Sequence, residues 1–218
     1  GVLFGAGRLK FETTVQLTEP APHTHGRETQ GILARSGAAI AGLGGLGSNI
    51  AFSLARTGIG YLHLIDFDCV DITNLNRQQY FMHQIGMKKT EALKENLLQI
   101  NPYLEIRTDC VKVEESNVRE LLAEDRYICE AFDKAENKAM LVNAVLEHFP
   151  EKYLVAASGM AGFGDSNRIR TRKVTEHFYL CGDETSDAEK GICLTAARAA
   201  LCAAHQANMI VSLILENE

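Results

Sequence analysis

The sequence predicts a single α/β domain with a Rossmann-like, doubly wound, mostly parallel sheet flanked by helices. Short apolar runs typical of buried strands alternate with longer segments of helical period from residue 38 to the end of the chain. A glycine-rich turn joins the first of these strands to the first long helix. Sheets of this class bind ligands where the carboxyl ends of their strands meet, so we expect a site at that edge.

The predicted elements follow one another in strict alternation. Strands are predicted at residues 38–41, 61–65, 104–113, 127–132, 153–157, 169–174 and 178–180. Helices are predicted from Ser48 to Gly58 and at residues 87–100, 117–124, 138–148 and 195–215. Residues 1–30 show no sustained period, so a loose N-terminal arm or a short helix is expected there, and residues 31–218 are expected to form the domain.

Composition narrows the class of protein. With 218 residues and 46% hydrophobic content, the chain suits one domain with a substantial core. The net charge of −6 argues against nucleic acid as the main partner. No apolar run approaches the roughly 20 residues that span a bilayer, and no leader is visible, so no membrane partner is expected. Six scattered cysteines favour free thiols in a reducing, cytoplasmic setting.

The glycine-rich turn has the pattern of a nucleotide-binding motif. Gly42, Gly44 and Gly47 fit G-x-G-x-x-G between a predicted strand and a predicted helix, and Asp66 ends the next strand 19 residues beyond Gly47. Glycines let the backbone turn tightly and approach a phosphate, while the helix N-terminus offers free N–H groups. An acid in this position can bind a ribose hydroxyl. The pattern therefore predicts nucleotide binding.

Cations and amides are concentrated just beyond the ribose acid. These residues are Asn74, Asn76, Arg77, Gln78, Lys88 and Lys89. A nicotinamide cofactor needs little positive charge there, because a helix N-terminus already serves its pyrophosphate. A triphosphate needs several fixed donors to meet the charge on its phosphoryl oxygens. ATP is therefore favoured over NAD, with an NAD oxidoreductase as the alternative.

Three motifs carry a resemblance to a known family. GLGGLGS, DFDxVxxxNLNRQ and GMKKTEAL resemble the ThiF/MoeB/HesA family, the bacterial relatives of ubiquitin-activating enzymes, from about Ile40 to the end of the chain. The spacing from DFD to NLNRQ and the LCGD segment are most similar to short ThiF-like proteins of thiamine biosynthesis. The resemblance implies a homodimer that uses ATP and Mg²⁺. It also implies adenylation of the C-terminal Gly-Gly carboxylate of a small, ThiS-like sulfur-carrier protein.

The resemblance also implies roles for individual residues. Nucleotide contacts are implied for Gly42, Gly44, Gly45, Gly47, Asp66, Asn74, Arg77, Gln78 and Lys89. Asp133 is implied as the carboxylate that places Mg²⁺, and its alternative is the N-cap of the helix that follows. Arg77 could instead be an ordinary surface residue. Asp68 could either assist the metal or cap a turn.

Cysteines and N-terminal arginines complete the candidates. In relatives, a cysteine before the final helix attacks the activated carrier; Cys193 matches that place and Cys181 is the second candidate, with plain packing as the alternative. The chain lacks the C-x-x-C pairs with which relatives hold a structural zinc, so that zinc is not expected. An N-terminal arginine of relatives reaches the partner subunit's nucleotide. Arg27 is the candidate here, ahead of Arg8.

Three rival functions remain open. A MoeB-like enzyme that activates the molybdopterin-synthase carrier shares the chemistry, although the missing C-x-x-C pairs count against it. An enzyme that adenylates a small molecule or a modified tRNA base is the second, and the acidic charge disfavours tRNA. The third is a non-catalytic nucleotide-binding scaffold. The joint presence of Arg77, Lys89 and Asp133 speaks against a scaffold.

Overall fold

The computed structural model describes residues 26–186 and 193–217. Within them the helices are α1 (Arg27–Arg35), α2 (Gly47–Thr57), α3 (Lys89–Leu98), α4 (Glu115–Leu121), α5 (Ala135–His148) and α6 (Ala196–Asn217). The strands are β1 (Gly37–Ala41), β2 (Tyr61–Ile65), β3 (Glu105–Asp109), β4 (Tyr127–Glu130), β5 (Tyr153–Ala157), β6 (Arg170–Lys173) and β7 (Phe178–Gly182). Single turns of 3-10 helix lie at Ile72–Asn74, Met82–Gln84 and Ser166–Arg168.

The strands form one sheet in the order β3-β2-β1-β4-β5-β7-β6. Every neighbouring pair is parallel except β6 and β7, which are antiparallel. The predicted doubly wound, mostly parallel α/β fold is therefore confirmed. Strand order reverses between β1 and β4, because the chain builds outward from β1 to β3 and then resumes on the other side. The loops that follow β1 and β4 diverge there, which creates the crevice where such folds bind ligands.

Helices cover both faces of the sheet. One core cluster joins α1, α2, α3 and α6 to the first face, and Leu33 of α1, Ile50 of α2 and Ile210 of α6 are fully buried in it. The second cluster packs α4 and α5 on the opposite face, around residues such as Val118 and Leu141. Helix α1 runs from Arg27 to Arg35. It therefore spans residue 30, the position at which the sequence predicts the boundary between the N-terminal arm and the domain.

Helix α6 is the longest element and packs along α2 and β5. With 22 residues it is long and apolar enough on average to cross a membrane, by length and composition alone, contrary to the expectation that no run approaches that length. Its packing accounts for much of that composition, because α6 buries Ala199, Ile210 and Leu213 against the domain. Buried Gln206 donates from Nε2 to the carbonyl oxygens of Glu130 (2.9 Å) and Val155 (3.1 Å).

Several elements are shorter or longer than the sequence predicts. The strand predicted at 127–132 stops at Glu130, because the Glu130 carboxylate takes the N–H of Phe132 at 2.7 Å and turns the chain away from the sheet. The helix predicted at 87–100 begins only at Lys89, since the backbone of Met87 is held by Val70. The strand predicted at 104–113 covers only Glu105–Asp109.

His63 of β2 forms a buried polar cluster in the sheet. Its side chain is fully buried, with Nδ1 at 2.7 Å from an Asp125 oxygen and Nε2 at 2.7 Å from an Asp109 oxygen. Both ring nitrogens face carboxylates, so the imidazole meets both as a donor when it is protonated. Arg107 adds a partly exposed ion pair to Asp109 at 2.8 Å. The cluster ties β2 to β3 and to the segment before β4.

We expect His63→Leu to be strongly destabilising, because it leaves the buried Asp125 carboxylate facing an apolar group. Breaking a buried pair from one side costs about 3 kcal/mol or more. Urea unfolding followed by circular dichroism measures the loss. Arg107→Ala is the control, since an exposed ion pair contributes about 1 kcal/mol or less. Equal losses in the two variants would contradict a special role for the buried histidine.

Candidate functional site

The glycine turn between β1 and α2 is a backbone structure that only glycine allows at two positions. Gly42 adopts a φ of +93°, and a Cβ there would lie 2.8 Å from the carbonyl oxygen of Ala131 after β4. A Cβ at Gly47 would overlap the carbonyl oxygen of Gly42. Gly42 therefore lets the loops after β1 and β4 touch at the point where strand order reverses, and Gly47 lets the turn close on itself.

Gly44 and Gly45 differ from the other two glycines. A Cβ at Gly44 would meet only Nε2 of Gln78, at 3.8 Å, and one at Gly45 would make ordinary contacts with the Arg77 side chain, at 3.4–3.6 Å. The protein's own packing does not require glycine at either position. Close approach of a ligand to the backbone is the remaining physical reason for glycine there.

Asp66 lies beside this turn at the carboxyl end of β2. Its buried carboxylate accepts the N–H of Leu43 on Oδ2 at 2.7 Å and the N–H of Asp68 on Oδ1 at 2.8 Å. Tyr80 donates its hydroxyl to the Leu43 carbonyl at 2.8 Å. Burial, with the Asp66 and Asp68 charges, raises the pKa of Tyr80 well above its usual value, so the phenol stays a donor. The acid and the turn are thus fixed to each other.

Arg77 lies over the glycine turn, as the sequence predicts. Its side-chain stem covers Gly45, and Nη1 donates to Oδ1 of Asn76 at 2.8 Å and to the carbonyl of Thr73 at 3.3 Å. The Nε atom is buried without a partner among the described residues, and so is Oε1 of the adjacent, buried Gln78. Arg77 forms no ion pair with any described residue. No carboxylate of the described residues therefore compensates its positive charge beside the turn.

Side chains of α2 connect the Arg77 segment to the turn. Ser48 donates to the Gly44 carbonyl at 2.7 Å and accepts the N–H of Gln79 at 3.1 Å. Asn49 donates to the carbonyls of Gly45 at 2.7 Å and Arg77 at 3.2 Å. Sequence reasoning did not identify either residue. The available signal was two adjacent polar side chains directly after the glycine motif, in the first turn of the helix.

Lys89 lies at the same carboxyl edge of the sheet, where it pairs with Asp68. Its buried side chain donates from Nζ to Oδ2 of Asp68 at 2.8 Å, and its backbone N–H binds the Asp68 carbonyl at 3.0 Å. The sequence leaves Asp68 either to assist a metal or to cap a turn, and in the structure its carboxylate holds Lys89. Lys88 is exposed at the N-cap of α3 and lies apart from this pair.

Asn74 already has a structural role. Its Oδ1 accepts the N–H of Asp71 at 2.9 Å and closes the capping box of the Ile72–Asn74 turn. Its carbonyl accepts the N–H groups of Arg77 at 3.2 Å and Gln78 at 3.0 Å. The side-chain amide nitrogen is the group left to meet a phosphate.

Asp133 is exposed just after β4, and no hydrogen bond or ion pair joins its side chain to another described residue. The alternative that Asp133 caps α5 is wrong, because the N-cap is Lys134 and no side-chain cap forms. The segment after β4 is held by Glu130, which was not identified from the sequence as a candidate. Fully buried Glu130 binds Lys138 at 3.0 and 3.1 Å.

The structure separates the two candidate thiols. Cys193 is exposed three residues before α6, and its carbonyl accepts the N–H of Gly162 at 2.7 Å. Cys181 is fully buried in β7, and burial raises its pKa to about 11 against the opposing hydrogen bond of Thr171. The prediction that Cys181 could be the reactive thiol is wrong, because the thiolate is the nucleophile. Of the N-terminal arginines, Arg27 is exposed at the start of α1, and Arg8 lies outside the described residues.

A buried ion pair fixes the start of α6 near Cys193. Arg198 donates to Oδ2 of Asp183 at 2.8 Å and to the Asp165 carbonyl at 3.0 Å. Burial alone would raise the pKa of Asp183, but hydrogen bonds from Ser186 and Thr185 outweigh it and lower the pKa to about 2. The only sign of this pair in the sequence is an arginine in a predominantly apolar helix.

The fold and the residues at its switch point define a doubly wound α/β protein with a Rossmann-type glycine turn and a cationic rim. The model of the ThiF family matches residues 19–217. The chain therefore belongs to the ThiF family, as the motifs predict.

Named relatives have several activities. The chain is 34% identical over 143 residues to the tRNA threonylcarbamoyladenosine dehydratase of Escherichia coli (strain K12), covering 65% of this chain and 51% of the relative. It is 37% identical over 103 residues to the molybdopterin-synthase adenylyltransferase of Haemophilus influenzae, covering 47% and 42%. Ubiquitin-like modifier-activating enzyme 5 of Caenorhabditis elegans is 46% identical over 68 residues, which cover 31% and 16%. The chain thus spans about half, or less, of these relatives.

Solved structures share the fold. The E. coli tRNA threonylcarbamoyladenosine dehydratase in complex with ATP superposes with a TM-score of 0.80 at 22% identity, covering 88% of this chain and 90% of that one. E. coli MccB with ATP gives a TM-score of 0.66 at 22% identity, covering 87% and 59%. At this level of identity the likeness shows the common architecture.

Native alkylation tests the assignment of the thiols. We expect iodoacetamide at pH 8 to label Cys69, Cys110 and Cys193, which are exposed, and to spare Cys129, Cys181 and Cys202, which are buried. Peptide mass spectrometry reads each site, and urea-unfolded protein is the control in which all six react. Labelling of Cys181 in the folded protein at the rate of Cys193 would restore it as a candidate.

The charge of Asp183 gives a pH-dependent prediction. Its pKa is lower in the folded chain than in the unfolded one, so its stabilisation is present above about pH 4 and is lost as the pH falls towards 2. Asp183→Asn should lower the urea midpoint at pH 7, and the gap to the unmodified protein should narrow between pH 4 and pH 3. Glu114→Gln, which removes an exposed ion pair with Lys112, is the control. A gap that stays constant down to pH 3 would contradict this account.

Proposed function

We propose that this chain adenylates a carboxylate at the expense of ATP, with release of pyrophosphate. The supporting observation is that Arg77 lies directly over Gly45 in a turn whose Gly44 and Gly45 are not required by internal packing. A phosphate chain laid along that backbone meets a fixed guanidinium on one side and the first N–H groups of α2 on the other. Asp66 lies where it can take a ribose hydroxyl.

The residues also suit Mg²⁺. Asp133 offers an exposed carboxylate at the carboxyl edge of β4, close to where Ala131 contacts the glycine turn. Mg²⁺ keeps most of its waters and commonly takes one or two carboxylates together with phosphate oxygens. Asp133 would hold such an ion and help to neutralise the phosphates. Mg²⁺ use remains part of the proposal.

Adenylation requires no covalent bond between the protein and its substrates. The carboxylate oxygen attacks the α-phosphorus, the bond to the bridging oxygen breaks, and pyrophosphate leaves with that electron pair. Alignment and fixed positive charge lower the barrier. Arg77 and Lys89 are the cations placed to meet the phosphates, although Lys89 must share its Nζ with Asp68. Cys193 is exposed and could accept the acyl group in a later step.

We propose as the substrate the Gly-Gly C-terminus of a small ubiquitin-like sulfur-carrier protein. The molybdopterin-synthase adenylyltransferase and the ubiquitin-like modifier-activating enzyme among the relatives support a protein substrate. Their names favour no particular pathway, so the ThiS-like carrier of thiamine biosynthesis and the molybdopterin-synthase carrier both remain candidates. A homodimer in which Arg27 or Arg8 reaches the partner's nucleotide remains part of the same proposal.

A second candidate has its own support. The most extended sequence match reported above is to a tRNA threonylcarbamoyladenosine dehydratase. A threonylcarbamoyl group carries a free carboxylate, so the same adenylation could activate it. Strand β6 is an exposed sheet edge with Arg170, Arg172 and Lys173, and Arg168 precedes it. Glu184 neutralises Arg172, but the other cations offer a basic surface on an acidic chain.

ATP–pyrophosphate exchange distinguishes these substrates. We expect exchange that depends on Mg²⁺ and on a carrier ending in Gly-Gly, and that falls about 100-fold or more in Arg77→Ala and Asp133→Ala. Cys193→Ala should keep exchange, because adenylation precedes any thiol step. Arg35→Ala, an exposed arginine at the end of α1, is the matched control. Candidate carriers and threonylcarbamoylated tRNA are assayed in parallel.

The outcomes separate the proposals. Exchange with tRNA but with no carrier would favour the second candidate. Binding of ATP with no exchange for any substrate would support a nucleotide-binding scaffold. Binding of NAD in preference to Mg²⁺-ATP would contradict both adenylation proposals.

A further inference from the structure

We propose that Asn49 is a positioning residue for Arg77, and that it sets how strongly this site holds the β- and γ-phosphates of ATP. The inference rests on the proposed function, and it adds a residue that acts through another residue. Asn49 lies in the first turn of α2 and is 9% exposed.

The contacts of Asn49 join three segments. Its Nδ2 donates to the carbonyl of Gly45 in the turn at 2.7 Å and to the carbonyl of Arg77 at 3.2 Å. Its Oδ1 accepts from Nε2 of Gln79 at 2.7 Å. One amide thus fixes the backbone of Arg77 at a set height above Gly45 and also holds the side chain of Gln79. Because the Arg77 stem lies on Gly45, a shift of this backbone moves the guanidinium with it.

Among the described residues, the segment faces a cavity on its other side. A cavity of about 380 Å³ separates it from the start of α6, with Leu75, Gln79, Ala196 and Ala200 among its lining residues. The small alanine side chains at the start of α6 offer this segment few packing contacts. Ser48 and Asn96 bind the backbone of Gln79 at 3.1 and 2.9 Å. The Asn74 carbonyl accepts the N–H groups of Arg77 and Gln78. Of the residues that the structure describes, Asn49 makes the only side-chain hydrogen bond to the backbone of Arg77.

Neighbouring bonds restrain other parts of the loop. Ser48 holds the N–H of Gln79, and the Tyr80 hydroxyl holds the Leu43 carbonyl. Neither touches the backbone of Arg77. Within the described part of the chain, the Arg77 side chain has only the neutral partners Thr73 and Asn76, so no ion pair there fixes it independently. Loss of the Asn49 amide should therefore loosen Arg77 while the turn and the helix remain in place.

A double-mutant cycle read by nucleotide affinity tests this. We expect Asn49→Ala to weaken binding of Mg²⁺-ATP about fivefold, as measured by calorimetry, and to change binding of AMP less than about twofold, since AMP lacks the outer phosphates. In an Arg77→Ala background, Asn49→Ala should add nothing further, because the residue through which it acts is gone. Thr57→Ala is the matched control, a polar side chain on α2 that bonds only within its helix.

Hydrogen exchange supplies a readout that needs no nucleotide. Asn49→Ala should speed exchange of the amides of residues 76–79 and leave α6 and β5 unchanged. Equal weakening of ATP and AMP, or losses that add in the double variant, would overturn the inference. The unmodified chain could bind no nucleotide while Asn49→Ala still speeds hydrogen exchange at residues 76–79. In that case the adenylation proposal would fail and the restraint on Arg77 would stand. Unchanged exchange in residues 76–79 would refute the restraint itself.

Discussion

The close approach of Gly42 to the Ala131 carbonyl is the constraint on which the carboxyl edge depends. It brings the loops after β1 and β4 into contact where the strand order reverses. Buried groups then hold both loops. Glu130 takes the N–H of Phe132 and pairs with Lys138, while Gln206 of α6 binds the Glu130 carbonyl. A fully buried carboxylate is tolerated only because these donors satisfy it. The exposed position of Asp133 follows from that arrangement.

The fold and the core of the site could be predicted because their signals are local. Alternating apolar runs give strands and helices, and the glycine spacing with Asp66 gives the turn and the acid. The turn, Asp66 and Arg77 do lie together. Each of those inferences used residues within one strand–turn–helix unit or just beyond it, where sequence spacing largely determines spatial distance.

The rest depended on partners that are distant in sequence. Asn49 bonds to Arg77 across 28 positions, and Tyr80 bonds to Leu43 across 37. No periodicity reports such a pair. The choice between a reactive and a packed Cys181 stayed open for a related reason, because its strand is covered by α6, which begins only at Ala196. Strand ends also differ from the prediction where a side chain binds a backbone N–H group. The Glu130 carboxylate, for example, accepts the N–H of Phe132, and β4 ends at Glu130.

The pairing of Lys89 with Asp68 has a consequence for how an anion would approach the site. Asp68 compensates Lys89 within the protein, so the lysine contributes little to the electrostatic potential felt several ångströms away. Arg77 has no such counter-charge among the described residues and supplies more of the attractive field there. Long-range steering would thus come mainly from the arginine, while the lysine acts at short range by exchanging one carboxylate for a phosphate oxygen. Attraction and capture would then be divided between the two cations.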